Sequence, residues 1–335
     1  MSISKENADN LQFIWWKKHN MNTNALVTGA TGFVGSHLCE ELVRRGYNVF
    51  GLSRTGRVHN VRSLLNQKGF HLHRGDIRDV KILCDIVKAS NIKVIFHLAA
   101  QLPHGEALNN PFLFFNINAM GTLNLLHAAY LNSVDKFIYA STMSVYSEFP
   151  SYLPVDEEYP VQPSTIYGVS KLEGELYCNV YSKVINVVVL RYGGAYGKGQ
   201  PKHKVIPKFI SQALSNMPVT ICGDGTQTSD FVYVKDIVQG TLLALERDKL
   251  GVYNIGGGEE VSISDLAKRI ISLTGSKSEI VSVGKDTDRP FRFVLDITKS
   301  QKDFGYSPYS LDEGLSMYMS EFDRGEISLI KRHKK

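Results

Sequence analysis

Thr28-Gly29-Ala30-Thr31-Gly32-Phe33-Val34-Gly35 joins two differently patterned segments. Before it, Ala25-Leu26-Val27 is a short apolar run of the kind that fills a buried strand. After it, Val34, Leu38 and Leu42 recur at helical spacing as far as Arg45, and Gly46 supplies a C-terminal stop. The glycines fall as Gly-x-x-Gly-x-x-Gly. Glycine lets the backbone turn tightly and approach a ligand closely, and a helix start offers unpaired N–H groups and a positive dipole end. A lone glycine triplet also fits an ordinary turn. Set after the first strand and before the first helix, this one reads as a cradle for the pyrophosphate of a dinucleotide, formed by Gly29, Gly32, Phe33, Val34 and Gly35.

The alternation continues downstream. Residues 47–52, 70–73, 94–98, 136–140 and 187–190 read as strands, with helical patterns between them, clearest at 111–131 and 167–183. Continuously apolar strands alternating with helices predict an α/β fold, a doubly wound parallel Rossmann sheet covered on both faces. Beyond Arg191 glycines and prolines cluster (Gly193, Gly194, Gly197, Gly199, Pro201, Pro207, Pro218), and further helical patterns lie at 206–216 and 264–273. The expected organisation is an N-terminal extension at 1–20 and a dinucleotide-binding domain at 21–192, with 230–250 returning to it. A smaller C-terminal α/β substrate domain takes 193–229 and 251–330, and a basic tail takes 331–335.

The 335 residues suit about two domains. With 43% hydrophobic and 21% charged residues, the composition is that of a globular protein and argues against extensive disorder. The net charge is +5, part of it in Lys331-Arg332-His333-Lys334-Lys335, so no nucleic-acid partner is expected, while an acidic small substrate is compatible. Cys39, Cys84, Cys178 and Cys222 lack metal-ligand spacing and read as reduced thiols of a cytoplasmic protein with no metal site. No apolar run reaches the roughly 18 residues of a spanning helix, so no membrane partner is expected. Leu11 to Trp16 is too short for a signal peptide and is followed, not preceded, by Lys17-Lys18. Two readings of 1–20 stand: a contact segment carrying Phe13, Trp15 and Trp16, or an extension ahead of a true start at Met21.

The second strand ends in Leu52-Ser53-Arg54, with Arg57 close by. No carboxylate stands there to repel a 2′-phosphate, and a guanidinium can pair with one, so Ser53 and Arg54 favour NADP(H) over NAD. The other reading is a surface arginine beside a loop that holds NAD through other groups. In Gly75-Asp76-Ile77, Asp76 can accept from the adenine amino group or, with Asp79, cap the next helix.

Tyr167 and Lys171 stand four apart in Tyr167-Gly168-Val169-Ser170-Lys171, on one face of a predicted helix. A free tyrosine, with pKa about 10, is a poor base at neutral pH; a nearby ammonium favours its phenolate and makes a proton carrier for a carbinol–ketone interconversion. Ser141, Thr142 and Ser144 follow the fifth strand, where hydroxyls meet ligands in open α/β sheets.

With Gly29/Gly32/Gly35, His97-Leu98-Ala99-Ala100, Asn118-Ala119-Met120-Gly121-Thr122, Thr142 and Tyr167/Lys171, the chain resembles the extended short-chain dehydrogenase/reductases. Within them it is similar to the NAD(P)-dependent nucleotide-sugar epimerase/dehydratase family, over residues 24–320. Gly223-Asp224-Gly225-Thr226, Asp230-Phe231-Val232-Tyr233-Val234 and Tyr253-Asn254-Ile255-Gly256 carry the likeness further. The resemblance implies Tyr167 as catalytic acid and base, Lys171 as its partner holding the ribose, and Thr142 bonding the sugar hydroxyl. It implies Leu98, Ala99, Ala100, Asn118 and Tyr192 along the cofactor, with Ile77 beside Asp76. Met143, Val205 and Arg289 would meet substrate, and the helices at 111–131 and 167–183 would form a homodimer.

The chain also departs from the family. Sugar-nucleotide 4,6-dehydratases carry an acidic residue just after the catalytic hydroxyl; Met143 and Ser144 stand there instead, which argues against elimination of water. Residues 47–57 and 70–76 are similar to the GDP-mannose dehydratase and GDP-4-keto-6-deoxymannose reductase branch, which uses NADP(H). Gly194 replaces a diphosphate-binding asparagine and Ser229 an arginine, while Arg289 is kept and Arg292 fills a place that is often acidic. Either Arg289 holds the diphosphate with Arg292 or Lys204, or the substrate lacks the usual nucleotide. The expected function is a 4-epimerase or 4-ketoreductase of a nucleotide-activated hexose. The alternatives are an NADPH-dependent reductase of a non-nucleotide carbonyl and a non-catalytic cofactor sensor; the intact Thr142, Tyr167 and Lys171 argue against the latter.

Overall fold

The computed structural model describes residues 23–103, 110–284 and 291–322. Its first half alternates as expected: β1 (Asn24–Thr28), α1 (Phe33–Arg44), β2 (Asn48–Ser53), β3 (Phe70–Arg74), α2 (Val80–Ala89) and β4 (Val94–His97). Then come α3 (Met120–Leu131), β5 (Lys136–Thr142), α4 (Ile166–Tyr181) and β6 (Asn186–Tyr192). With β10 (Gly251–Ile255) the strands form one sheet in the order β10-β6-β5-β4-β1-β2-β3. Val27 pairs in parallel with Gly51 of β2 and Phe96 of β4. The order reverses at β1: the chain runs outward through β2 and β3, then crosses back to β4. A crevice at such a switch point, beyond the strands' carboxyl ends, is where open α/β sheets bind ligands.

Leu26, Ile95, Phe137 and Val187 from the strands meet Leu83, Val87, Leu125 and Leu126 from the helices in one buried cluster. Burial on both faces explains why these strands read as unbroken apolar runs. Residues 111–131 are not one regular helix. A turn at Pro111–Phe114 leads into a π-helical stretch, Phe115–Ala119, before α3 begins. Asn118 sits in this widened turn: its side-chain oxygen Oδ1 accepts from Gln101 N at 2.7 Å and Nδ2 donates to Gln101 O at 3.1 Å.

By packing the chain divides into two units. The first takes the described residues of Met1–Ser141 with Thr165–Leu190 and Thr241–Val252; the second takes those of Thr142–Ser164, Arg191–Gly240 and Tyr253–Lys335. The sequence pattern instead assigns 142–164, 191–192 and 230–240 to the dinucleotide-binding part. Val155 N donates to Val294 O and Val155 O accepts from Asp296 N, each at 2.8 Å, and this pairing ties 142–164 to the second unit.

The second unit contains β7 (Gly194–Tyr196), β9 (Thr228–Tyr233) and β11 (Glu260–Ser262) in the order β11-β9-β7, and a parallel pair of β8 (Val219–Cys222) with β12 (Ile280–Val283). Its helices are α5 (Val205–Leu214), the start of α6 (Val234–Glu246), α7 (Ile263–Thr274), α8 (Thr298–Phe304) and α9 (Leu311–Glu321). Asp230 is its buried anchor. The carboxylate accepts from Gly257 N at 2.6 Å, Gly258 N at 3.2 Å and Leu295 N at 3.1 Å, binding two segments to β9.

Among the described residues no helix is long and apolar enough to cross a membrane, and no group of three or more His, Cys, Asp or Glu side chains could hold a metal. The four cysteines are free thiols.

Candidate active site

The glycine turn meets the carboxyl ends of β1 and β4. Gly29 sits at φ +70°, and a Cβ there would lie 2.9 Å from Ala99 N and 3.0 Å from the Leu98 carbonyl carbon. A Cβ on Gly35 would come within 2.2 Å of Gly29 O, so α1 can begin flush against the turn only because residue 35 is glycine. Gly32 is the N-cap of α1, and no side chain caps the helix, whereas Asp79 caps α2 and Thr165 caps α4. The first-turn N–H groups of a helix have no acceptor within it. Those of Phe33, Val34 and Gly35 meet no capping side chain, a donor set whose chemistry suits an anion such as a diphosphate.

Ser53, at the end of β2, is buried, and its hydroxyl bonds Thr31 Oγ1 at 2.8 Å. Arg54 is exposed. Asp76 takes the Arg78 guanidinium at 2.7 Å; Arg78 first, with Arg54 adding to it, holds the carboxyl below the usual aspartate range. The cap of α2 is Asp79, accepting from Lys81 N and Ile82 N, so of the two sequence readings of Asp76 the capping one falls to its neighbour. Ile77 is buried under Gly121, where a Cβ would come within 2.6 Å of its side chain.

A line of buried hydrogen bonds leads from the glycine turn to α4. Thr28 Oγ1 lies 2.7 Å from His97 Nδ1, and His97 Nε2 lies 2.9 Å from Thr122 Oγ1. The Thr122 hydroxyl donates to Asn118 O at 2.5 Å, so it accepts from Nε2–H and leaves Nδ1 to accept from Thr28. Burial, then the nearby Lys171 charge, holds His97 well below the usual histidine range, as a neutral ring. Asn118 Nδ2 donates to Ser170 Oγ at 2.9 Å, and Ser170 Oγ donates to Tyr167 O at 2.8 Å. Leu98, Ala99 and Ala100 follow β4 and are half-buried.

Tyr167 and Lys171 stand one turn apart on α4, with Tyr167 half-buried and Lys171 only 2% exposed. Loss of water pulls the Lys171 ammonium down to about 7, and the nearby Glu175 carboxylate opposes the fall. Two neighbours of this pair, Tyr139 and Glu175, were not singled out from sequence. The Tyr139 ring lies under Lys171 Nζ, 4.0 Å to its centroid. Ser141 donates to the buried Glu175 carboxylate. Glu175 is four residues beyond Lys171, a spacing that could have flagged it; Tyr139 and Ser141 reach the helix only through tertiary packing.

The remaining expected residues belong to the second unit. Thr142 ends β5, and its hydroxyl oxygen accepts from Ser144 N at 3.1 Å. Met143 opens the turn Met143–Val145, Tyr192 ends β6 and is buried, and Val205 begins α5 after Lys204. Gly194 pairs with Phe231, and a Cβ on it would lie 2.8 Å from Asp230 O, so an asparagine there would not fit unshifted. Arg292 grips Glu260 through two bonds of 2.7 and 2.8 Å. Arg289 lies outside the described residues.

A glycine turn at a switch point, with Tyr167 one turn ahead of buried Lys171 on the later helix α4, defines an extended short-chain dehydrogenase/reductase. Residues 25–256 match the model of the NAD dependent epimerase/dehydratase family, and the chain belongs to that family. It is 38% identical over 299 residues to a putative UDP-glucose 4-epimerase of Methanocaldococcus jannaschii, covering 87% of this chain and 95% of that protein. It is 34% identical over 308 residues to the dTDP-D-glucose 4,6-dehydratase of Homo sapiens, covering 87% and 86%. The crystal structure of UDP-glucuronic acid 4-epimerase from Bacillus cereus, in complex with UDP-glucuronic acid and NAD, superimposes with a TM-score of 0.80 at 35% identity, covering 92% of this chain and all of that one.

Proposed function

We propose that this protein interconverts a nucleotide-activated hexose, or its uronic acid, at carbon 4, with NAD as its cofactor. The observation that carries the reading is Tyr167 one turn ahead of a buried lysine on α4, in a chain whose first helix, α1, starts at an uncapped glycine turn. Relatives named as UDP-sugar 4-epimerases, one of them holding NAD and UDP-glucuronic acid, support the substrate class.

Bound NAD supplies the hydride acceptor and donor. Tyr167 takes the proton of the carbon-4 hydroxyl and returns it to either face's product. Lys171 favours the tyrosine phenolate through its charge and holds the ribose. Thr142 bonds the reacting oxygen. Gly29, Gly32, Phe33, Val34 and Gly35 hold the diphosphate of the cofactor; Ser53, Arg54, Asp76 and Ile77 flank its adenosine half; Leu98, Ala99, Ala100, Asn118 and Tyr192 line the rest. Met143, Val205 and Arg289 contact the substrate. With Arg292 engaged by Glu260, Lys204 is the better partner for Arg289 on the substrate diphosphate. The absence of a carboxylate at Met143 and Ser144 separates this chain from the 4,6-dehydratases among its relatives. Exposed Tyr130, Leu131, Leu176 and Val180 on α3 and α4 support a homodimer through those helices.

Exposed Arg54 at the end of β2 favours a second reading, an NADP(H)-dependent 4-ketoreductase. Denaturing the purified protein and identifying the released nucleotide separates the two. Retained NAD is the expected result. An empty site that prefers NADPH would overturn the epimerase reading in favour of the reductase.

A further inference from the structure

The strand and helix behind Tyr167 carry matched pairs of side chains. On β5, Tyr139 and Ser141 are two residues apart and share one face of the sheet; on α4, Lys171 and Glu175 are four apart and share one face of the helix. Two strand residues rise about 6.7 Å and four helical residues about 6 Å. The pairs therefore meet in register: Tyr139 with Lys171, and Ser141 with Glu175. The Tyr139 hydroxyl donates to Lys171 O at 3.2 Å, which fixes the ring against the helix. It reaches there only because residue 174 is glycine, where a Cβ would fall 2.1 Å from that hydroxyl.

We propose that Tyr139 is a positioning residue: its ring face holds the Lys171 ammonium in place and charged, with Glu175, anchored by Ser141, as the counter-charge. The inference rests on the reading of Lys171 as the partner of Tyr167. The titratable groups that act on Lys171 are His97 from β4, Tyr139 from β5, and Glu175 and Cys178 along its own helix, with Tyr167 one turn ahead of it. His97 is neutral, and burial pushes the Cys178 thiol up, so it is neutral too. Glu175 and the negative face of the Tyr139 ring are what remain to favour the cation.

The test uses the full chain without added ligand. Lysine side-chain nitrogens are labelled with 15N, the Lys171 signal is assigned by its loss in Lys171→Met, and its titration midpoint is followed by NMR. Tyr139→Leu should lower the midpoint by about one pH unit, the size expected of a desolvated cation–ring contact. Tyr139→Phe, which keeps the ring, should stay within a few tenths of the unsubstituted protein, and Glu175→Gln should lower it. Replacing Tyr139 by 3,4,5-trifluorophenylalanine keeps the shape and weakens the ring face, so it carries the test if the leucine variant does not fold. An unchanged midpoint in the fluorinated protein, or a fall in Tyr139→Phe as large as in Tyr139→Leu, overturns the proposal. A shifted midpoint in a protein that interconverts no nucleotide sugar would uphold it and remove the functional reading instead.

Discussion

Lys171 in the first unit and Asp230 in the second are both buried charges, 2% and 0% exposed, and they are treated in opposite ways. Asp230 is met by three backbone N–H groups, yet burial still pushes it up to about 6. Lys171 rests on an aromatic face and is drawn down to about 7. Backbone donors joined to one carboxylate fasten segments together. A cation left on a ring, close to its neutral form, is suited to moving a proton or tuning a neighbour. The contrast separates a group that builds the fold from one that serves chemistry.

The largest expected effect tests the reactive side. Tyr167→Phe should cut turnover of a UDP-sugar by about 10²–10⁴-fold while cofactor titration stays near its unsubstituted value. Turnover within a few-fold of normal would remove Tyr167 from the reaction. Next, Asp230→Ala leaves three buried N–H groups unmet and should cost about 3 kcal/mol or more in urea unfolding. Lys171→Met removes a desolvated cation but leaves Glu175 without its counter-charge, so the two effects offset and stability should change by less than in Asp230→Ala, while activity collapses. If both substitutions destabilised alike, the contrast between the two regions would fail.

The pH dependence sharpens it. Between the unfolded aspartate value and about 6, folded Asp230 keeps a proton that the unfolded chain has released. Its contribution is full at low pH and lost as pH rises through 6, and Asp236, pushed to about 7, slopes the same way. For Lys171, between about 7 and the unfolded lysine value, the unfolded chain holds the extra proton, so stability rises with pH in that window. Each slope is at most about 1.4 kcal/mol per pH unit. Urea midpoints across pH should flatten below 6 in Asp230→Asn and above 7 in Lys171→Met. The smallest effect is expected from Arg54→Ala, which should leave NAD affinity within a few-fold. A tenfold loss confined to NADP(H) would favour the ketoreductase reading.

Much of the dinucleotide-binding unit was legible in the sequence, because its signals are local: glycine spacing, continuous apolar strands, and a tyrosine and lysine one turn apart. The rest depends on distant packing. No pattern in residues 136–142 announces that Tyr139 will lie under Lys171, since that needs β5 and α4 in register and a glycine at 174. The π-helical turn at Asn118 was hidden by an apolar run that reads as one helix. The division at Ser141 was hidden because 142–164 joins the second unit through backbone pairing at Val155, which side-chain chemistry does not encode.

The most direct test of the function is to incubate the purified protein, without added cofactor, with UDP-glucose or UDP-glucuronic acid and follow the sugar protons by NMR. The account predicts that the carbon-4 epimer appears and grows to a fixed ratio approached from either sugar, with no net oxidation or reduction. Unchanged sugars in a protein that oxidises NADPH when offered a 4-keto sugar would contradict it.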